Sequence, residues 1–190
     1  MLTSLLIYRF VLANMLGVAL CMALAWSGHL VPVFAADQSR VTFAISGLFL
    51  VGLAWTLKEA VCVSRGLNRS KAQGYRPASV ADAEKAMLKV EWLESVPEWL
   101  VGLGLLGTVI GFSVALSGID QDSVMQATGA QNAVAALMSG MRVALNTTLL
   151  GAALAIWHQV NLRMLKTAMG CYWIDRVRAG RGEIVSRGQD

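Results

Sequence analysis

Cysteine, histidine and acidic residues are all scarce in this 190-residue chain, and each shortage excludes a class of protein. The three cysteines, Cys21, Cys62 and Cys171, form no Cys-x-x-Cys pair and have no histidine beside them, so we predict free thiols and no metal site. The sequence contains no Ser/His/Asp set and no phosphate-binding loop. We therefore expect that the protein is not an enzyme and needs no cofactor.

Charge is also scarce, at 15% of residues against 56% hydrophobic residues, which is too apolar for a soluble domain of this size. Four runs contain no charged residue, and each has about the length that a helix needs to cross a hydrocarbon core of roughly 30 Å. These runs are Phe10–Ala36, Val41–Leu57, Trp99–Ile119 and Val143–Leu162. We predict an all-α membrane protein with four transmembrane helices and cytoplasmic helical extensions.

None of the twelve acidic residues lies inside these four runs. A proton that crosses a membrane needs a group that binds and releases it at membrane depth, and that group is usually a carboxylate. If this protein conducts protons, a second polypeptide must therefore supply the carboxylate.

The basic residues are distributed unevenly between the segments that separate the runs. Of the sixteen lysines and arginines, seven lie in Lys58–Glu98 and six follow His158, while each of the other two connections carries one. The positive-inside rule then places both termini and the Lys58–Glu98 segment in the cytoplasm, as expected for a multi-pass membrane protein. No basic face on a soluble module is visible, so we expect the lipid bilayer and no nucleic acid as a partner.

The order of these features predicts four segments. They are an N-terminal transmembrane hairpin (1–63), a cytoplasmic helical segment (64–96), motif-bearing pore helices with an outer lip helix (97–162) and a cytoplasmic tail (163–190). In the second segment, Ser64–Ala78 is predicted to be the least ordered part, because glycine, asparagine, serine and proline interrupt its periodicity. Ser79 with Asp82 resembles a capping box that starts a helix to about Leu93. Pro97 is expected in the first turn of the next helix.

The connections outside the membrane are expected to be short. A polar link at Asp37–Ser39 joins the first two spans, and Asp120–Ser123 forms a polar break after the third. The Ala-rich stretch Gln126–Met138 is typical of a lip helix that lies on the outer surface. The end of the chain, Arg178–Asp190, is expected to be frayed.

Two of the apolar runs repeat one spacing of small residues around a threonine. Positions 0, 4, 7 and 11 of this pattern share one helix face. The pattern comprises Gly104, Thr108, Gly111 and Ala115 in the third run, and Ala144, Thr148, Gly151 and Ala155 in the fourth. Asn146 and Thr147 lie beside the second threonine. Such stripes are the usual means of close helix packing in lipid, whereas a doubled stripe with clustered hydroxyl and amide groups favours a polar path; both interpretations stay open.

The segments GLGLLGTVIGF (Gly102–Phe112) and GMRVALNTTLLGAALAIW (Gly140–Trp157) resemble the two motif helices of the MotA/TolQ/ExbB proton-channel family. A divergent branch of this family, which includes the motor subunits of anti-phage defence systems, is similar to this chain in the same region. Val143 stands where the last helix of the family usually begins with an acidic residue. The resemblance implies a pore with one threonine from each helix, at Thr108 and Thr148. We predict as pore-lining residues Gly104, Thr108, Gly111, Ala115, Ala144, Asn146, Thr147, Thr148, Gly151 and Ala155.

The resemblance further implies a homopentameric ring around a dimer of an ExbD/TolR/MotB-like protein, whose single helix carries the essential aspartate. The transported ion would be H⁺ or Na⁺. A charged cytoplasmic surface would couple the ring to the driven component, and it comprises Arg65, Arg69, Lys85, Lys89, Glu91 and Glu94. The main alternative is a non-conducting polytopic scaffold that recruits partners. An exporter of small molecules is a weaker alternative, because no intramembrane acid is available for coupling to protons.

Overall fold

A computed structural model describes residues 2–28, 34, 40–73, 78–117 and 127–187. These residues contain no strand, and they form four long α-helices: α1 (Leu2–Trp26), α2 (Val41–Gln73), α3 (Val80–Ser117) and α4 (Ala127–Arg187). Each helix is long and apolar enough to cross a membrane. The candidate spans are Tyr8–Trp26, Val41–Ser70, Val80–Ser117 and Gly129–Ala179. For these residues, the prediction of an all-α fold with four apolar helices suited to span a membrane is confirmed.

Two of the helices are much longer than a bilayer is thick. At 1.5 Å per residue, the 38 residues of α3 extend over about 57 Å and the 61 residues of α4 over about 90 Å, against a hydrocarbon core of roughly 30 Å. Both helices must therefore continue outside the hydrocarbon. In α3 every charged residue lies before Trp99, so the charge-free part that follows is the part suited to lipid.

The chain divides into two compact units. The first unit contains Met1–Val18, Val51–Ser95 and His158–Asp190, and the second contains Ala19–Leu50 and Val96–Trp157. In the first unit, buried apolar side chains come from α2, α3 and α4, among them Val63, Val90, Leu93 and Leu165. In the second unit, α3 and α4 are in contact through small residues, including Ala115 and Ala144.

The capping box is present as predicted. The hydroxyl of Ser79 donates to Oδ2 of Asp82 at 2.8 Å, and the backbone N–H of Asp82 donates to the Ser79 hydroxyl oxygen at 3.2 Å. The Ser79 backbone N–H also donates to Asp82 Oδ2, at 3.2 Å. These hydrogen bonds favour the ionised carboxylate and lower the pKa of Asp82. They satisfy two of the N–H groups that a helix start leaves without partners.

The helix α2 continues beyond its predicted end. It runs to Gln73 and includes most of the stretch that was expected to be poorly ordered, of which residues 74–77 lie outside the described part of the chain. Tertiary packing explains the difference. The ring of Tyr172 lies so close to Gly66 that a Cβ there would be 3.0 Å from the tyrosine Oη, and Ser70 is buried. Burial of this kind outweighs the low helix propensity of single glycine and serine residues.

The sequence predicts that the helix starting at Ser79 ends near Leu93. In the structure, α3 continues past Leu93 and through Pro97 without a break. An internal proline removes one hydrogen bond of the helix and costs about 3 kcal/mol relative to alanine. The burial of Leu93, Val96 and Leu100 on both sides of the proline offsets that cost, because each side chain is almost completely inaccessible to solvent. The predicted separate helix starting at Pro97 is therefore wrong.

The helix α4 also joins segments that were predicted to be separate. Ala127–Met138 form its first turns, so no separate lip helix is present in the described residues. Gly140 follows this segment and lies directly against α3. This contact supports the continuation of α4 through the glycine without a turn. At the other end α4 runs to Arg187, well into the stretch that was expected to be frayed. The predicted links at Asp37–Ser39 and Asp120–Ser123 lie outside the described residues.

Candidate functional site

The two small-residue stripes lie against each other in the second unit. A Cβ placed on Gly151 of α4 would lie 2.6 Å from the backbone oxygen of Leu100 in α3. A Cβ on Gly104 would be 3.2 Å from Thr148 Cα, and one on Gly111 would be 3.0 Å from the backbone nitrogen of Ala144. The helices run antiparallel, since residue numbers rise along one as they fall along the other. The backbones approach closely because the facing residues lack bulky side chains.

Two further glycines belong to this interface. A Cβ on Gly107 would be 2.6 Å from Thr147 Oγ1. A Cβ on Gly140 would overlap the Cβ of Ala115 and lie 2.7 Å from the backbone oxygen of Gly111. The contact of Gly140 was not predicted, although its spacing of four from Ala144 extends the stripe by one turn and was a usable signal.

The hydroxyl groups at this interface have different partners. Thr148 Oγ1 donates across the interface to the backbone oxygen of Gly104 at 3.1 Å. Thr147 is buried, and its Oγ1 donates to the backbone oxygen of Ala144 on its own helix at 2.9 Å. Thr108 Oγ1 donates to the Leu105 carbonyl one turn back at 2.5 Å. One threonine of the pattern therefore joins the two helices, while the other is bonded within α3.

The predicted pore-lining residues differ in their accessibility in the single chain. Seven are buried: Gly104, Gly111, Ala115, Ala144, Thr147, Gly151 and Ala155. Three are partly accessible: Thr108, Asn146 and Thr148. The small residues of both stripes pack α3 on α4, which is the packing interpretation of the pattern. The partly accessible polar side chains are the ones still available to an ion path, and that role stays a prediction.

The predicted coupling residues lie on two helices of the first unit. Arg65 and Arg69 are exposed on α2, and Lys85, Glu91 and Glu94 are exposed on α3. Lys89 lies in α3 as well, with its side chain outside the described part.

Glu94 forms an ion pair with Lys166 of α4, a residue that was not predicted to belong to the coupling surface. Both side chains are close to half exposed, at 47% for Glu94 and 41% for Lys166, so the pair contributes at most about 1 kcal/mol.

A partly buried amide pair joins α1 to α4 in the first unit and was missed from the sequence. Asn14 Nδ2 donates to Asn161 Oδ1 at 2.8 Å, and Asn161 Nδ2 donates back to Asn14 Oδ1 at 3.4 Å. Asn14 Nδ2 also donates to the Phe10 carbonyl at 2.8 Å. Asn161 is completely inaccessible to solvent. The positions of Asn14 and Asn161 inside apolar runs were the available signal, because an amide in a spanning helix needs a polar partner.

Replacing either asparagine by leucine should remove the hydrogen bonds that join the two amides between α1 and α4. We expect each single variant, Asn14→Leu or Asn161→Leu, to lose about 1–3 kcal/mol of stability, and the double variant to lose less than the sum of the two. Thermal unfolding of the purified protein in detergent measures this double-mutant cycle. Strictly additive losses would show that the pair contributes no coupling between α1 and α4.

The described residues contain no group of three or more His, Cys, Asp or Glu side chains that could hold a metal ion. The three cysteines are free thiols, with Cys62 and Cys171 exposed. The polar groups of the candidate site are backbone, hydroxyl and amide groups, and they lie where α3 and α4 are in contact.

The family model described as the MotA/TolQ/ExbB proton channel family matches residues 64–171. This range includes all of α3 and most of α4, and it contains both motif segments. A search of the curated proteins and a search of the solved structures gave no match.

Proposed function

We propose, from the premise that the chain belongs to the MotA/TolQ/ExbB proton channel family, that it is the ring-forming stator subunit of an ion-driven membrane motor. Membership makes it a multi-pass membrane protein of a channel family and not an enzyme. Members of the family typically act with ExbD, TolR or MotB proteins. The proposal goes further and concerns the assembly, the ion path and the coupling surface of this chain.

The observation that carries the proposal is that the residues matched by the family model include both motif helices. The matched residues contain the pattern of small residues and threonines in both helices, and α3 and α4 are in contact along it. The four apolar runs contain no carboxylate, so a proton path needs an acid from a partner. A dimer of a single-span protein with an intramembrane aspartate supplies that acid in this proposal.

Five copies of the chain form a ring around the partner dimer in the bacterial inner membrane, with both termini in the cytoplasm. A proton or a sodium ion passes between the partner aspartate and the polar side chains of Thr108, Asn146 and Thr148. Each transfer changes the preferred register between ring and dimer, so the ring rotates. The charged coupling residues of α2 and α3 transmit this rotation to the driven component.

A non-conducting scaffold is the second candidate, and one observation favours it. Within a single chain, the glycines and alanines of both stripes are buried, and the stripes pack α3 against α4. A protein that only recruits partners would need this packing and nothing more from the stripes.

The decisive experiment is co-purification with the product of the neighbouring gene. We expect a complex of five copies of this chain with two copies of a single-span protein, measured by native mass spectrometry. After reconstitution into vesicles with a pH-sensitive dye, the complex should conduct protons under an imposed membrane potential. Repeating the measurement with a sodium gradient distinguishes the two ions.

The control is the same complex with the intramembrane aspartate of the partner changed to asparagine, which should assemble and not conduct. A monomer or dimer that holds no single-span partner would support the scaffold. A 5:2 complex that conducts equally well with and without the aspartate would contradict the proposed path.

A further inference from the structure

The charge-free runs of α3 and α4 do not begin and end at the same height in the second unit. A Cβ on Gly111 of α3 would be 3.0 Å from both the backbone oxygen of Gly140 and the backbone nitrogen of Ala144. Arg142 is halfway between these two residues of α4, so its backbone is level with Gly111 along the helix axes. Arg142 bounds the run of α4, yet it lies at the height of the middle of the α3 run.

The other end of the helix pair shows the same offset. A Cβ on Gly151 of α4 would be 2.6 Å from the backbone oxygen of Leu100 in α3. The helices are antiparallel, so Glu98, which precedes Leu100 on α3, is level with α4 near Leu154. Leu154 lies inside the charge-free run of α4, about eight residues or about 12 Å before the end of that run. Glu98 bounds the run of α3, yet it lies at the height of the interior of the α4 run.

The charge-free run of α2 gives the same depth for Glu98. Phe49 is the middle residue of that run, Val41–Leu57, and its ring contacts the ring of Trp157 in α4 with 5.0 Å between the centroids. Trp157 follows Leu154 by less than one turn, so the middle of the α2 run is about 4–5 Å from the height of Glu98. The backbone of Glu98 is therefore level with the interior of the charge-free runs of both other helices.

The offset leaves only a short zone in which neither α3 nor α4 carries a charge. Between the heights of Glu98 and Arg142, this zone comprises about 12 residues of each helix, or about 18 Å, against a hydrocarbon core of roughly 30 Å. A pair that crosses the core therefore places at least one of these two residues at hydrocarbon depth. The middle of the α2 run lies on the Glu98 side of the zone, and the long side chain of Arg142 can extend toward water whereas that of glutamate cannot. Glu98 is thus the charged residue inside the core.

The side chain of Glu98 is directed away from the contact of α3 with α4. Glu98 is exposed, whereas Val96 and Leu100 on either side of it are almost completely buried. A carboxylate at hydrocarbon depth is costly against lipid, and such groups face a partner or a water-filled cavity. The assembly must therefore supply polar surroundings on this face of α3.

We propose that Glu98 is an ion-binding carboxylate at the cytoplasmic end of the ion path. This inference rests on the proposed function and deepens it. The partner aspartate exchanges the ion with the polar side chains around Thr108 and Thr148, and Glu98 receives the ion from them. The carboxylate binds H⁺ or Na⁺, releases it to the cytoplasm and returns to its ionised form.

The first test measures the depth of Glu98 with the glutamate in place. A nitroxide label is attached at Ile156→Cys, an exposed position of α4 near the height of Glu98, after the three native cysteines have been replaced by alanine. In vesicles that contain the complex, we expect the label to collide mainly with oxygen, as it does in hydrocarbon. The control label at Leu88→Cys, an exposed position in the charged part of α3, should collide mainly with a water-soluble nickel complex. The same result at Ile156→Cys would place Glu98 in water and overturn the proposal.

The second test measures ion flux of the complex in vesicles. Glu98→Gln removes the charge and keeps the shape of the side chain, so it should lower the flux at least tenfold while the ring still assembles. Glu98→Asp keeps a carboxylate and should retain part of the flux. Glu84→Gln, which changes another exposed acid of α3, is the matched control and should leave the flux unchanged.

The outcomes separate this inference from the proposed function. A wild-type complex that does not conduct refutes the motor and with it the ion-binding role. A conducting complex whose flux is unchanged by Glu98→Gln overturns the role of Glu98 alone. Loss of the ring itself in Glu98→Gln would identify the glutamate as an ion-pair partner between copies of the chain, which also overturns the proposal.

Discussion

Replacing Gly140 by alanine is expected to separate α3 from α4 and to cost more stability than alanine at the other glycines of the described part of α3 and α4. The added Cβ would overlap the Cβ of Ala115 and lie 2.7 Å from the backbone oxygen of Gly111. Neither atom belongs to a flexible side chain, so the helices themselves must move. Overpacking of this kind costs typically about 1–3 kcal/mol, and a backbone contact places this site at the upper end.

Two glycines in the same helices serve as matched controls. A Cβ on Gly102 of α3 or on Gly170 of α4 would meet nothing within 4 Å. Alanine is favoured over glycine in a helix interior by about 1 kcal/mol, so Gly102→Ala and Gly170→Ala should be neutral or stabilising. Thermal unfolding and size-exclusion chromatography in detergent measure the contrast.

A compensating change sharpens this prediction. Ala115→Gly removes one of the two atoms that the new methyl group would overlap, so it should partly restore the stability of Gly140→Ala. It should not restore Gly151→Ala, whose Cβ would instead meet the backbone oxygen of Leu100 at 2.6 Å. If Gly140→Ala were as stable as Gly170→Ala, the close contact of the two motif helices would be wrong.

Removing the hydroxyl of Thr148 or Thr108 is expected to abolish ion flux and motor output while the complex still assembles. Valine has the shape of threonine without the hydroxyl, so packing is retained. Thr148→Val also loses the hydrogen bond to the Gly104 carbonyl, a net stability contribution of about 1 kcal/mol. That loss of stability is too small to unfold the protein. The ion, in contrast, loses a polar group along an apolar path, and its passage becomes unfavourable because water cannot replace that group.

The expected reduction in flux is at least tenfold, which corresponds to about 1.4 kcal/mol in the barrier. Thr148→Ser keeps a hydroxyl and should retain part of the flux. Thr167→Val is the matched control, because Thr167 also lies in α4 and donates only to a carbonyl of its own helix, that of Arg163 at 2.9 Å. Undiminished flux in both Thr148→Val and Thr108→Val, with assembly verified by native mass spectrometry, would refute the ion path.

The predictions from the sequence succeeded where the signal was local. Charge-free length identified the four spans, and the pair Ser79 and Asp82 identified the start of α3. The spacing of small residues identified the contact faces of α3 and α4, because a helix repeats its face every three to four residues. The family followed from the two motif segments and agrees with the match over residues 64–171.

The predictions failed where distant residues overruled local propensity. Gly66 was expected to interrupt α2, but Tyr172 packs on it. Pro97 was expected to separate two helices, but burial on both sides keeps α3 continuous. Glycine and proline indicate only the local free-energy cost of forming a helix. Whether the helix forms despite that cost depends on contacts with residues that are distant in the chain.

By itself, the sequence determined that this is a helical membrane protein with four charge-free runs that contain no acid, and that it resembles a proton channel family. The runs and their lack of acid depend on composition and periodicity, which act within one helix, and the family follows from the resemblance of the two motif segments. Only the tertiary structure decided that Asn14 pairs with Asn161 and that Thr148 donates to Gly104. A buried polar group must find a partner, but the partner's identity depends on which helix faces meet, and in the amide pair the partners are 147 residues apart.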